Sequence, residues 1–297
     1  MIPNINIAGM GFIVLATVVL PFGLYFYFHA RFQNFRVYPV LFGFAAYLIF
    51  GYAIEDGMGQ QLLPLLNASP IINPTLYVVM ILLMAGLIEG SGMLTFAFLL
   101  RWKICRDKTL ASEMGVGIGF GIGFGGLKSA LEFGLYQIST LRVAAAVNGQ
   151  GIDTFLQNFT DDQKVLAQKQ IQAIADIHSY LYFITGIEQI LMIFLQIALA
   201  VLVWMVITHR LKWYFFPIAI ILHMLALVPT VLSSINALDL IVAEVLFAII
   251  VIAVVFLTYS LYKKYWDSVP PIMKQAQTSR KKQALSSPKK TDSPTEK

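Results

Sequence analysis

Seven apolar runs, each close to the roughly 20 residues that cross a hydrocarbon core about 30 Å thick, constrain this chain more than any other feature. They fall at Ala8 to Phe28, Val37 to Ile54, Thr75 to Leu100, Met114 to Ile138, Leu181 to Ile207, Tyr214 to Ser233 and Ile241 to Leu261. A soluble domain carries about 25% charged residues. Here 12% of 297 residues are charged and 58% are hydrophobic, which excludes a soluble fold and predicts an all-α, polytopic transmembrane bundle. No Lys or Arg precedes Arg31, so the first run lacks the basic start of a signal peptide and is read as a retained span.

The basic residues supply an independent test, because Lys and Arg collect in cytoplasmic loops. Arg31 and Arg36 lie in the first connection, Arg101, Lys103, Arg106 and Lys108 in the third, and Arg210 and Lys212 in the fifth. The end of the chain, from Lys263, is rich in Lys as well. Alternate connections hold only Arg142, Lys164 and Lys169. The N-terminus is thus expected outside and the C-terminus in the cytoplasm, and the net charge of +5 reflects topology and gives no reason to expect a nucleic-acid partner. The single cysteine, Cys105, excludes an intrachain disulfide and a Cys-based metal site. On this topology it is shielded from an impermeant thiol reagent applied outside.

Residues 1–262 therefore form the bundle, with an extracytoplasmic polar segment at about 139–180. Asp161-Asp162 followed by Val165, Leu166, Ile171 and Ile174 suggests an amphipathic helix on the outer surface, or a short soluble cap. Gly57 to Pro74, with Pro64 and Pro70, reads as a re-entrant hairpin or an ordinary loop. Residues 263–297 read as a disordered basic tail, whose cations are attracted to anionic lipid.

An ionisable group inside a span costs about 2.5–3.5 kcal/mol on insertion scales and is a functional candidate by default. Position along each span places Glu89, Lys128, Gln196 and His223 near the midplane, and Glu132, Glu188 and Glu244 nearer the outer face. Glu89 suits either a metal ligand or general base, or a carboxyl that merely joins helices. Lys128 and Glu132 are four apart and share a helical face, so a local ion pair competes with any other role. The fourth span places Gly115, Gly117, Gly119, Gly121, Gly123, Gly125 and Gly126 within one helix, a pattern that lets neighbouring backbones approach closely.

These segments, in their order, resemble the YhfC family of bacterial intramembrane metalloproteases, distantly similar to proteases of CAAX ends and to the PrsW type. The family's G-x-x-E-E-x-x-R reads here Gly86-Leu87-Ile88-Glu89-Gly90-Ser91-Gly92-Met93, with the first glutamate kept. Its G-x-G-H-G-G-x-E reads Gly121-Ile122-Gly123-Phe124-Gly125-Gly126-Leu127-Lys128, with the glycines kept, Phe124 for the histidine and Lys128 for the glutamate. An E-R pair with a later histidine reads Glu188-Gln189 and then Gln196. A last histidine is kept as His223, with Leu227 where an acidic or amide partner stands. The resemblance implies a bacterial cytoplasmic-membrane protein with a zinc site that this chain has mostly lost. At the matched positions only Glu89 and His223 remain as good donors, so no cofactor is expected. Lys128 is then expected to neutralise Glu89 in the metal's place.

Three functions follow. The leading one is a non-catalytic relative, a pseudoenzyme that binds another membrane protein or a membrane-embedded peptide. The second is an active protease in which Glu132, Glu188 and Glu244 join His223 in a rearranged zinc site. The third is a small-solute transporter, although no inverted repeat is visible to support it.

Overall fold

The computed structural model describes residues 1–31, 35–105 and 114–266. Among them there is no strand, and seven helices are long and apolar enough to cross a membrane: Asn4–Arg31, Val37–Leu65, Pro74–Lys103, Met114–Gln150, Ser179–Ile207, Phe215–Ser234 and Leu240–Tyr265. They are called the first to seventh spans below. Two short helices, Ile152–Leu156 and Asp161–Asp176, lie between the fourth and fifth.

The fourth and fifth spans form the centre. Of their most apolar stretches 78% is buried, against 22–33% in the other five. Glycine at every second position explains why the fourth can be so enclosed. A two-residue step turns an α-helix by about 200°, so alternate glycines make two smooth faces. Gly117, Gly121 and Gly125 meet the fifth span at Val201, Ile197 and Gln196, while Gly119 and Gly123 meet the second at Pro39 and Val40. At the second interface the backbones touch. A Cβ on Gly43 would stand 2.1 Å from the Phe120 carbonyl oxygen, and one on Gly123 2.1 Å from that of Val40. Ile118, Phe120, Ile122 and Phe124, between the glycines, fill the core.

Four of the spans contain π-helical segments, at Leu15–Val19, Tyr47–Glu55, Ala85–Glu89 and Ala130–Gly134. A π-turn holds an extra residue and rotates the side chains that follow it. Three of these segments, in the second, third and fourth spans, carry or border the polar side chains described below.

Several sequence boundaries are corrected. The second helix continues past Ile54 to Leu65, so Gly57 to Leu65 is neither loop nor hairpin but the end of the span; the backbone then turns, and the Asn73 side chain accepts from Leu76 N to start the third helix. The fourth helix runs to Gln150 without stopping at Ile138, because the polar residues after Ser139 are carried on the same rod. Asp161–Asp176 is a helix whose start is closed by a capping box between Thr160 and Gln163. Its inward residues are Ile171 and Ile174; Val165 and Leu166 are exposed. The first span and the residues before it anchor this region: Ile2, Met10 and Ile13 pack with Ala144, Val147, Ile171 and Tyr182. Asn6 Nδ2 also donates to the Ile177 carbonyl, at 3.0 Å. Cys105 is buried, so its resistance to a thiol reagent would not report sidedness. Lys263 and Lys264 close the last helix, and the basic tail from 267 onward lies outside the described residues.

Candidate functional site

Four spans bring Glu89, Lys128, Gln196 and His223 into one buried cluster. Glu89 ends the π segment of the third span and is wholly buried. Gly86 and Gly90, on either side of it, sit against Met224 and Ile220 of the sixth span, which draws His223 close. Lys128 extends from the fourth span, and its Nζ donates to Glu89 Oε1 in an ion pair. Gln196, opposite Gly125, donates from Nε2 to Glu89 Oε2 at 3.2 Å and lies 3.4 Å from His223 Nε2. His223 Nε2 is 4.0 Å from Glu89 Oε2. Both carboxylate oxygens of Glu89 are therefore occupied by nitrogen donors, one of them an ammonium.

The cluster extends to residues that the sequence did not single out. Lys128 Nζ is also 3.8 Å from Glu132 Oε1, which accepts from the Tyr47 hydroxyl at 3.0 Å. Glu55, of the second span, lies near Glu89, and its Oε2 is buried without a hydrogen-bond partner among the described residues. Glu55 escaped notice because the second hydrophobic run stops at Ile54, and a carboxyl at the end of a run reads as an interfacial residue. The signal that could have found it is the amphipathic stretch Asp56–Leu65, which keeps the helix going and leaves Glu55 within it. Tyr47 carried no signal beyond being a polar aromatic in a span. Below the cluster, Ser129 Oγ donates to Gln189 Oε1 at 2.8 Å and ties the fourth span to the fifth.

The two possible partners of Lys128 are thus both present, but unequal: the Glu89 contact is direct, and the Glu132 contact is longer and reaches a side chain that is 39% exposed. Glu188 and Glu244 are only partly buried. Neither makes an ion pair or hydrogen bond with Glu89, Lys128, Gln196 or His223 among the described residues. Glu132, Glu188, Glu244 and His223 accordingly do not assemble into the rearranged site that the sequence left open.

A catalytic zinc takes about three protein ligands and keeps one position for water. The donor set here does not fit one. Among the described residues no three His, Cys, Asp or Glu side chains are placed to hold a metal ion together. Of the potential donors, Glu89 is held by Lys128, and Gln196 is a weak neutral ligand. Phe124, where the motif would have histidine, is fully buried edge-on against Tyr47, with ring centroids 5.6 Å apart. An ammonium in contact with the principal carboxylate would also repel a divalent cation at that point.

The comparisons with known proteins follow the same frame. The model of the YhfC intramembrane metalloprotease family matches residues 16–258, a stretch that contains every residue of the cluster. An uncharacterized membrane protein YhfC of Bacillus subtilis (strain 168) is 30% identical over 220 residues, which cover 72% of this chain and 80% of the relative. No solved structure matches. This multi-pass bacterial membrane protein, with its metal-ligand positions substituted, belongs to the YhfC intramembrane metalloprotease family.

Proposed function

We propose that the chain is a non-catalytic member of this family, a membrane pseudoenzyme that binds another membrane protein or a membrane-embedded peptide. The observation that carries the reading is the Lys128 ammonium on Glu89. A general base or a metal ligand works through the negative charge that it offers to a proton or a cation. The charge of Glu89 is already answered by Lys128, and each of its oxygens accepts from a buried nitrogen donor, so either role comes at the expense of the buried ion pair. Breaking such a pair costs about 3–5 kcal/mol.

The binding half of the proposal draws on the accessible edge of the cluster. Glu132 is 39% exposed, and Asp56 is exposed beside the half-buried Glu55. Carboxyl groups at membrane depth that outnumber their one lysine are suited to a cationic side chain on a bound segment. The distribution of Lys and Arg supports an N-terminus outside and a C-terminus in the cytoplasm.

The test is zinc content per chain of the detergent-solubilised protein, with Glu89→Gln as the control for specific ligation, together with hydrolysis of a membrane-embedded peptide with and without chelator. The proposal expects zinc far below one per chain, no change in Glu89→Gln and no chelator-sensitive hydrolysis. Near-stoichiometric zinc that is lost in Glu89→Gln, or hydrolysis that chelation stops, overturns it.

A further inference from the structure

We propose that the gap between the first and second spans holds an anionic phospholipid, with an acyl chain in the gap and its phosphate at Arg31 and Arg36. This inference is independent of the cluster and of its catalytic state. The first and second spans each pack on the fourth and scarcely on one another. Pro21 of the first rests on Gly126, and Val40 of the second rests on Gly123, so the two spans diverge from a shared floor. Between them lies a cavity of about 540 Å³, walled by Pro21, Phe22, Val40 and Leu41 and floored by Gly126 and Ala130. Its floor runs from Ile122 to Ile138, roughly 24 Å at 1.5 Å per residue. One leaflet's share of a hydrocarbon core is about 15 Å, so an acyl chain can lie in the gap along its length.

The charge at one end of the gap selects the headgroup. Tyr25 and Val37 line that end. Arg31 closes the first span, and Arg36 immediately precedes the second. His29 Nδ1 meets the Phe35 carbonyl oxygen at 2.9 Å, which holds the two helix ends together. Both arginines are exposed, and neither has a hydrogen-bond or ion-pair partner among the described residues. No Asp or Glu occurs in the chain before Glu55, so no acidic neighbour in this part of the sequence neutralises them. Two guanidinium groups at the mouth of an apolar slot, on the side where Lys and Arg place the cytoplasmic leaflet, match a phosphate attached to acyl chains. A polypeptide segment would fill the slot as well, but it would have to bring its own anion to this end.

The experiment uses the full chain in mixed micelles of equal phosphatidylglycerol and phosphatidylcholine, with retained lipids counted by native mass spectrometry. Two cations near the headgroup predict that phosphatidylglycerol is favoured by about tenfold or more. Arg31→Gln with Arg36→Gln brings the two lipids to near parity. Leu41→Trp, which fills the slot, lowers retention of both. Lys263→Gln with Lys264→Gln keeps the wild-type preference. Equal retention of the two lipids by the wild type overturns the proposal, as does a preference that survives the double arginine variant or disappears only with the lysine variant. Unchanged retention in Leu41→Trp, or a polypeptide that co-purifies and is released by it, also overturns it.

Discussion

The two flanks of the glycine-rich fourth span use the same helix to opposite ends. On the flank towards the fifth span, the missing side chains bring that helix close, and Glu89, Lys128, Gln196 and His223 are enclosed almost completely. On the flank between the first and second spans, the helices touch the floor and leave a gap walled by apolar side chains, with its cations at the end. Close approach converts a charged group into a structural commitment, since an enclosed carboxylate must be answered by groups already in the protein. An open flank leaves that answer to the surroundings. The same substitution should therefore matter far more on the first flank than on the second.

The largest effect is expected from removing one member of the enclosed pair. Lys128→Met or Glu89→Gln should cost about 3–5 kcal/mol, read as a fall in the thermal or denaturant midpoint in detergent. Next is Gly43→Ala, which drives a Cβ into the Phe120 carbonyl with no flexible group to yield; overpacking of this kind costs about 1–3 kcal/mol. A stability loss indistinguishable from that of an exposed alanine substitution would show that the second and fourth spans are not in backbone contact. Tyr47→Phe removes one part-buried hydrogen bond and Ser129→Ala one buried one, each for about 1 kcal/mol. Phe22→Leu, on the open flank and 60% exposed, should change stability by less than about 0.5 kcal/mol. A Phe22→Leu loss as large as that of Tyr47→Phe would erase the distinction between the flanks.

The spans were legible because hydrophobic length is a strong signal, and counting along them put Glu89, Lys128, Gln196 and His223 at one level, where the structure gathers them. Their mutual contacts required more: the pattern of glycines predicts close helices but not which helix meets which face. Glu55 and Tyr47 were missed for a different reason. They sit at the two ends of the π segment Tyr47–Glu55, where the extra residue per turn rotates side chains away from the positions that a regular helix assigns. The polar stretch after Ser139 hid the continuation of the fourth helix, because polarity marks the end of a membrane crossing and not the end of a helix. The inward face of Asp161–Asp176 was half legible: Ile171 and Ile174 pack, whereas Val165 and Leu166, one or two turns earlier, have no wall to meet.

Lys128 is the positive partner of Glu89, at the position where the motif it resembles has a glutamate. A double-mutant cycle with Glu89→Gln, Lys128→Met and their combination, followed by unfolding in detergent, tests it most directly. The predicted result is a combined variant markedly more stable than the sum of the single losses implies, with a coupling above about 1 kcal/mol, as expected for groups in direct contact. Additive losses would contradict the account, and would assign Lys128 to Glu132 or to no partner at all.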